Sequence, residues 1–564
     1  LTMGLLDSPE FMTYIGIFDK YNAVLKHNQK LSIRTLEDGD EDYQDSLDHL
    51  SMLKRYDSSK LTDIQKVTQK IAIFDTENNI NEFENFRYHS YPFNQIGGNH
   101  LGLVEFMTDT HPVRNLREAS DYIKRVEKFD ESLNANLIWL EEQKKLGIFA
   151  PKYVFDHVIT QLKELIAYED SDNPLMQVFA RKVDALDIDE QKSEELKTAL
   201  SAVIASDVKS GFKSILGFFE SNYEYANMNH GVWSLPNGDA FYEARLRSYT
   251  TTDYSAEEIH QIGLSEVDRI GARMKEIFLQ LGYQVNKPVG EMMNDLNENP
   301  DFLYPDTPDR KEIVVADYNQ MVKEAEEDVR PYFARFPVSP VEVRAIPEYS
   351  EQTAAGGYYQ APALDGSRPG VFYANLYDIK QTPTFGMRTL TFHEAVPGHH
   401  FQIALNQENE DLTLYRKMGY RTSAFTEGWA LYSEQLAVEV GMTKNLYDEL
   451  GVLQSEMFRA NRLVVDTGMH YKRWTREEAM AYMKKTTGMS DTEVRVEIER
   501  YIVWPGQATS YKMGMLKILE LRKKAQDALG EKFDIRKFHT VVLDQGIVPL
   551  FILEDIIDEW IATS

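Results

Sequence analysis

Over much of the chain, apolar residues return at helical spacing with polar residues on the opposite face, the period of amphipathic helices. Long stretches of this kind fill 116–146, 150–170 and 190–222. In the second half, capping-box sequences stand ahead of similar runs at Ser255-Ala256-Glu257-Glu258, Thr475-Arg476-Glu477-Glu478 and Ser490-Asp491-Thr492-Glu493. In such a box the hydroxyl accepts from the backbone three residues on, and the glutamate reaches back to the cap. Gly488 is placed to stop the second of these helices, and Trp504-Pro505-Gly506 punctuates the third. Two aromatic runs bounded by Gly and Pro, Ala355-Gly356-Gly357-Tyr358-Tyr359-Gln360-Ala361-Pro362 and Gly370-Val371-Phe372-Tyr373-Ala374-Asn375, predict short strands. There is no heptad array, low-complexity tract or fixed-period repeat. The pattern predicts a mainly α protein with a small β element. The clearest punctuation, Leu235-Pro236-Asn237-Gly238, suggests a soft boundary that makes 1–250 an N-terminal helical lobe and 251–564 a second lobe.

Chemistry concentrates in His393-Glu394-Ala395-Val396-Pro397-Gly398-His399-His400, which holds three of the 13 histidines. Neutral imidazole binds zinc, and a glutamate beside the first ligand can take a proton from an activated water. In the familiar pattern, His-Glu-x-x-His on one helix, positions i and i+4 share a face. Here i+4 is Pro397. On an unbroken helix His399 would lie about 240° round from His393, and His400 about 20° short of two full turns. Neither could share a metal with His393. Pro397 removes an amide donor and Gly398 tolerates unusual backbone angles, so the pair can widen or break a turn. A bulged helix is the expectation, with His399 brought back towards His393 as the preferred ligand and His400 as its alternate.

A further ligand is expected from a second helix. In Thr426-Glu427-Gly428-Trp429-Ala430-Leu431-Tyr432-Ser433-Glu434, the two glutamates are seven apart and share a face. The segment resembles the glutamate-bearing helix of the gluzincin metallopeptidases, whose aminopeptidase branch has Asn-Glu-Gly-Phe-Ala at the ligand. The resemblance makes Glu427 the third ligand and leaves Glu434 to orient a ligand histidine. The forms His-Glu-x-Gly-His and His-Glu-x-x-Gly-His, of thimet-type oligopeptidases and dipeptidyl-peptidase III, extend to His-Glu-x-x-x-Gly-His here, with Gly398-His399 aligned. More closely, the chain resembles a large bacterial family of gluzincin-like proteins described as lipoproteins or as a domain of unknown function. The matching pieces are 393–400, Glu427-Gly428-Trp429-Ala430-Leu431-Tyr432, Trp504-Pro505-Gly506-Gln507-Ala508 with Tyr511-Lys512, and Leu235-Pro236-Asn237-Gly238. This implies a large two-lobed gluzincin-like fold with its β element at the active-site cleft, and a zinc peptidase in which Glu394 is the general base.

By the same resemblance, residues 355–360 would form an edge strand that pairs with an extended peptide, placing Tyr358 and Tyr359 at the substrate. An ordinary small sheet packed on helices is the competing expectation. Downstream, Tyr511 is preferred over His470 as donor to a developing oxyanion. Arg500 and Lys512 could receive a substrate carboxylate.

Composition narrows the setting. With 61 basic and 90 acidic residues the formal charge is −29, which disfavours binding to nucleic acid or an anionic membrane. Cysteine is absent, which removes disulfides, thiolate catalysis and Cys-based zinc sites. No apolar run is long enough to span a bilayer. Leu1-Thr2-Met3-Gly4 carries no signal segment, and the lack of an initiating Met suggests processing or truncation. The resemblance points to the periplasm or a lipid anchor outside the given chain, while the residues alone equally permit cytoplasm. The expected partner is a peptide or other amide. A zinc amidase acting on a non-peptide or cell-wall amide is the near alternative, and a non-catalytic metal-binding or peptide-binding lipoprotein the distant one. Oligomeric state, and exo- versus endo-cleavage, are not legible in the residues.

Overall fold

A computed structural model describes residues 8–16, 18–347, 351, 355–364, 366 and 368–564. Leu1-Thr2-Met3-Gly4 lies outside the described residues. The protein is mainly α-helical with one small sheet, as the hydrophobic pattern predicts. It divides into two compact units, one made of Leu1–Arg55, Thr76–His230 and Ser234–Asn237, the other of Tyr56–Asp75, Gly231–Trp233 and Gly238–Ser564.

In the first unit, Phe129–Lys145, Lys152–Ala167 and Lys209–Ser221 pack through Leu133, Val154, Phe155, Val158, Phe212, Ile215 and Phe219, all essentially inaccessible to water. Two expected long helices are interrupted. The first is divided into Leu116–Val126 and Phe129–Lys145. In 190–222, a five-residue π-helical stretch, Ile204–Val208, separates Glu190–Val203 from Lys209–Ser221.

In the second unit, the helices that position the site are α1 (Ala256–Gln280), α2 (Arg310–Asp328), α3 (Thr384–Glu394), α4 (His399–Glu408), α5 (Ser423–Glu439), α6 (Leu446–His470), α7 (Arg476–Thr487), α8 (Asp491–Val503) and α9 (Ser510–Leu529). All three expected capping boxes are formed, opening α1, α7 and α8. Each is worth about 1 kcal/mol of helix stability. Gly488 ends α7 in the left-handed conformation, at φ 74°. Helix α6 is buried on nearly every side, and its Leu450, Met457, Ala460 and Val464 pack with Ile270, Met274 and Ile277 of α1 in one apolar cluster.

The sheet has three strands in the order β1 (Val341–Ala345), β3 (Gly370–Ala374), β2 (Gly357–Gln360). β1 runs parallel to β3 with Val341 opposite Gly370, and β2 runs antiparallel to β3 with Tyr358 opposite Tyr373. β2 and β3 fall within the two aromatic runs. β1 was not anticipated, although Val341, Val343 and Ala345 alternate with Glu342 and Arg344, a period-two signal. Among the described residues, no helix is long and apolar enough to cross a membrane.

Candidate metal centre

Helix α3 does not bulge at the motif; it stops. Glu394 is its last residue, Ala395 takes φ −112° and ψ −94°, and α4 begins at His399 behind Gly398 at φ −78° and ψ −127°. The chain folds back over the end of α3 so tightly that a Cβ on Gly398 would lie 2.0 Å from the His393 carbonyl oxygen and 2.3 Å from that of Phe392. Only glycine fits there. The expected bulge is therefore a helix break, because a bulge keeps the chain on one axis and this turn leaves it. The turn is held from outside by α5, where Trp429 Nε1 and Ser433 Oγ donate to the Pro397 carbonyl at 2.8 and 3.2 Å.

This break brings three side chains together. His393 Nε2 lies 3.4 Å and His399 Nε2 3.3 Å from the same Glu427 oxygen, Oε2. Each residue offers a ligand atom such that all three lie within 4.8 Å of one another. Two ligands at about 2.1 Å from a tetrahedral zinc stand about 3.4 Å apart, longer than most N–H···O bonds. The two His–Glu distances match ligands round an ion, and the donor set of two imidazoles and a carboxylate could hold zinc in a catalytic-type site.

The surroundings supply the rest of the charge. On the far side of its ring, His393 Nδ1 bonds Glu434 Oε1 at 2.7 Å, an arrangement that fixes the tautomer and leaves Nε2 facing Glu427. Burial works against a charged His393, but Glu427 and Glu434 outweigh it and push its pKa up to about 9. Burial likewise opposes a charged Glu427, yet His399 and His393 hold its carboxyl well below the usual carboxylate range. A proton on His393 thus offsets part of the carboxylate charge, the role a divalent cation would take on displacing it. Glu394 is buried, and its Oε2 has no hydrogen-bond partner. His399 Nδ1 and Glu434 Oε2 are buried without partners as well.

The remaining sequence candidates are spread more widely. His400 turns away from this cluster: its Nδ1 meets the Tyr359 hydroxyl at 3.0 Å, and burial lowers its pKa to about 4. Tyr359 is thereby engaged with α4. Tyr358, on the other face of β2, is 42% exposed and stacks on Tyr373 at 4.9 Å. The His470 ring is taken up by the core, accepting from Val232 N–H at 3.1 Å and bonding the Tyr501 carbonyl at 3.0 Å, so it has no nitrogen left for an oxyanion. Lys512 is wholly buried against Glu456 and Glu266 at 2.6 and 2.9 Å. Tyr511 and Arg500 stand together, with Arg500 donating to Gln507 Oε1 at 2.7 Å and to the Tyr511 hydroxyl at 3.4 Å. Helix α9, which carries Tyr511, reaches α5 closely: Ser510 Oγ donates to Ser423 Oγ at 2.9 Å, and a Cβ on Gly428 would lie 2.6 Å from the Gly514 Cα.

Sequence reasoning took Glu427 and Glu434 from α5 but missed Trp429 and Ser433, which hold the turn. They are four apart on the same helix, and that spacing was the available signal. It also missed Arg462, whose partners come from α8 and α9.

A polar centre built from a broken His-Glu helix and a second glutamate helix, in a mainly α chain, sets the class of site. The family is shown directly: residues 9–557 match "Bacterial protein of unknown function (DUF885)", and the chain belongs to that family. It is similar to a putative lipoprotein from Colwellia psychrerythraea, at 34% identity over 99% of this chain and 98% of that one, with a TM-score of 0.92. A putative lipoprotein of unknown function from Shewanella oneidensis shares the fold at 17% identity and TM-score 0.75, covering 98% of each chain. Against a putative oligoendopeptidase F from Bacillus anthracis str. Ames, the identity is 13% and the TM-score 0.31 over 95% and 97% of the two chains, too slight a likeness to carry an argument. No curated protein matches the chain.

Proposed function

We propose that the chain is a zinc-dependent hydrolase, and specifically a peptidase. What supports this reading above all is the convergence of His393 Nε2 and His399 Nε2 on one Glu427 oxygen, next to the unpartnered buried carboxylate of Glu394. His393, His399 and Glu427 would hold the metal, and Glu434 would keep His393 oriented. When bound, zinc supplies Lewis acidity towards water and a carbonyl oxygen. Glu394, adjacent to a ligand yet bonded to nothing at Oε2, accepts the proton of the attacking water and returns it to the leaving amine. Tyr511 is the donor assigned to the developing oxyanion. A chain serving only to bind metal or peptide has no need of Glu394. Likeness to the Colwellia psychrerythraea protein named a putative lipoprotein supports placement in the periplasm or on a lipid anchor.

The test is metal analysis of the purified protein with product identification from a mixed peptide library. About one zinc per chain is expected, mostly lost in His393→Ala. Glu394→Gln should keep the zinc while hydrolysis falls by about 10²–10⁴-fold. Full activity in zinc-loaded Glu394→Gln would overturn the general base, and equal inactivity of both proteins across a broad amide panel would favour the binding-protein alternative.

A further inference from the structure

Between α6, α8 and α9 lies a second buried polar cluster, of the opposite charge. Arg462 is 3% exposed, and its guanidinium is sandwiched between the rings of Phe458 at 4.2 Å and Tyr511 at 4.4 Å. It bonds the Tyr501 hydroxyl at 3.0 Å and Glu497 Oε2 at 3.2 Å. Arg500 lies 3.6 Å from that same oxygen, which also accepts from the Tyr501 hydroxyl at 2.6 Å. Arg459 completes the group; it donates to Ser455 Oγ at 2.6 Å and acts electrostatically on Glu497 as Arg462 and Arg500 do. Two guanidiniums thus share one carboxylate, and a third acts on it from further off. Nη1 of Arg462 and Nε of both Arg459 and Arg500 are buried with no hydrogen-bond partner.

Such an excess is costly, because like charges repel and a buried N–H without an acceptor forfeits its hydration. It is resolved by an incoming anion with paired acceptor oxygens, which a planar guanidinium fork matches. The cluster is reachable at one edge, where the side chains of Arg500 and Glu497 keep 18% and 19% of their surface and Tyr511 is partly exposed. It also adjoins the metal-binding helix. Ser510, next to Tyr511, bonds Ser423, which lies about 6 Å of helical rise before Glu427.

We propose that Arg500, backed by Arg462 and Arg459, forms a subsite for a substrate carboxylate, either the C-terminus of a peptide or an acidic side chain. The inference rests on the peptidase reading for its substrate class. It makes Arg500 a binding residue and Arg462, whose ring stacking holds Tyr511, a positioning residue.

The experiment uses the full chain carrying Glu394→Gln to prevent turnover. Calorimetric binding is measured with and without zinc for three probes: N-acetyl-tetraalanine as the free acid, its C-terminal amide, and the amide with one alanine replaced by glutamate. The free acid, the glutamate amide, or both should bind at least about tenfold more tightly than the plain amide; which of them does so identifies the source of the carboxylate. Adding Arg500→Gln should level the three, and Arg500→Lys should restore part of the difference. Equal binding of all three probes, no binding of any, or a preference that survives Arg500→Gln would overturn the subsite. The comparison within the parent protein needs no arginine variant to fold. A carboxylate preference in a protein that hydrolyses no amide would leave the subsite standing and remove the peptidase reading.

Discussion

Around Glu427, three carboxylates meet two imidazoles; around Glu497, two guanidiniums meet one carboxylate under the field of a third. Both clusters are buried in the second unit, and both are tied to the α5–α9 contact. In the first, Glu394 Oε2, Glu434 Oε2 and His399 Nδ1 lack partners, and in the second the guanidinium nitrogens do. Burial normally removes such imbalances, since an isolated charge in a protein interior costs several kcal/mol. Where it has not, the sign of the excess matches the proposed occupants, a cation at the first cluster and an anion at the second. Polar groups elsewhere show the alternative outcome. At the end of α6, His470 accepts from Val232 N–H and donates to the Tyr501 carbonyl, and burial lowers its pKa to about 4. That histidine is satisfied by the fold and calls for no ligand.

The largest effect should come from the turn that brings His393, His399 and Glu427 together. Gly398→Ala places a methyl 2.0 Å from a backbone carbonyl that has no freedom to swing aside. The chain must unfold the turn and carry His399 away. Zinc affinity, measured by competition with a chelating dye, should fall by more than about 100-fold although every ligand remains, because loss of a ligand exceeds the 10–100-fold typical of its supporting groups. Unchanged affinity would mean that the fold-back does not bring the imidazoles together.

His399→Ala and His400→Ala then separate two neighbours that face different partners. The first should lower zinc affinity beyond the same 10–100-fold range and the second by less than tenfold, since His400 is bonded to Tyr359 rather than to Glu427. The reverse order would move the ligand register by one residue.

Much of this was readable before the structure, for physical reasons that differ by feature. Capping boxes are local, so Ser255, Thr475 and Ser490 announce their helices from four residues each. The cluster of His393, His399 and Glu427 was legible because metal chemistry confines ligand types. The break at Pro397-Gly398 was half legible: the residues permit either a bulge or a stop. The choice is made by Trp429 and Ser433, some thirty residues away. The arginine cluster was not legible at all beyond Arg500. Arg462 sits in a helix that is buried on almost every face and carries several other polar residues, and its pairing with Glu497 and Tyr511 depends on tertiary packing that no spacing rule encodes.

Glu434→Gln should have a smaller effect than either ligand change. It keeps the side chain's size but removes the charge that orients His393 through Nδ1 at 2.7 Å. Zinc affinity or activity should drop about 10–100-fold, with zinc still bound at saturating metal. A protein indifferent to this change would show that His393 needs no orienting carboxylate, and the acidic excess of the first cluster would then lack a purpose.

The smallest effect tests why a nearby carboxylate fails to neutralise the second cluster. Asp466 is fully buried; it accepts from the Tyr242 hydroxyl at 2.6 Å and from Gly506 N–H at 3.0 Å, and burial pushes its pKa up to about 7 although Arg500 opposes the rise. Below that pH it is a neutral acid and leaves the guanidinium excess untouched. The raised pKa means that the folded chain binds this proton more tightly than the unfolded one. Its stabilising contribution is therefore complete below the unfolded value of 3.8 and is lost as pH rises through about 7. Asp466→Asn keeps the acceptor and removes the titration. Between pH 5.5 and 8, wild type should lose about 1–2 kcal/mol of unfolding free energy relative to the variant, and little more above that. Other titrating groups cancel in the difference. A difference that is flat with pH, or one that grows in favour of wild type as pH rises, would mean that Asp466 is ionised throughout and already serves as a counterion to Arg500, which would weaken the case for an external anion.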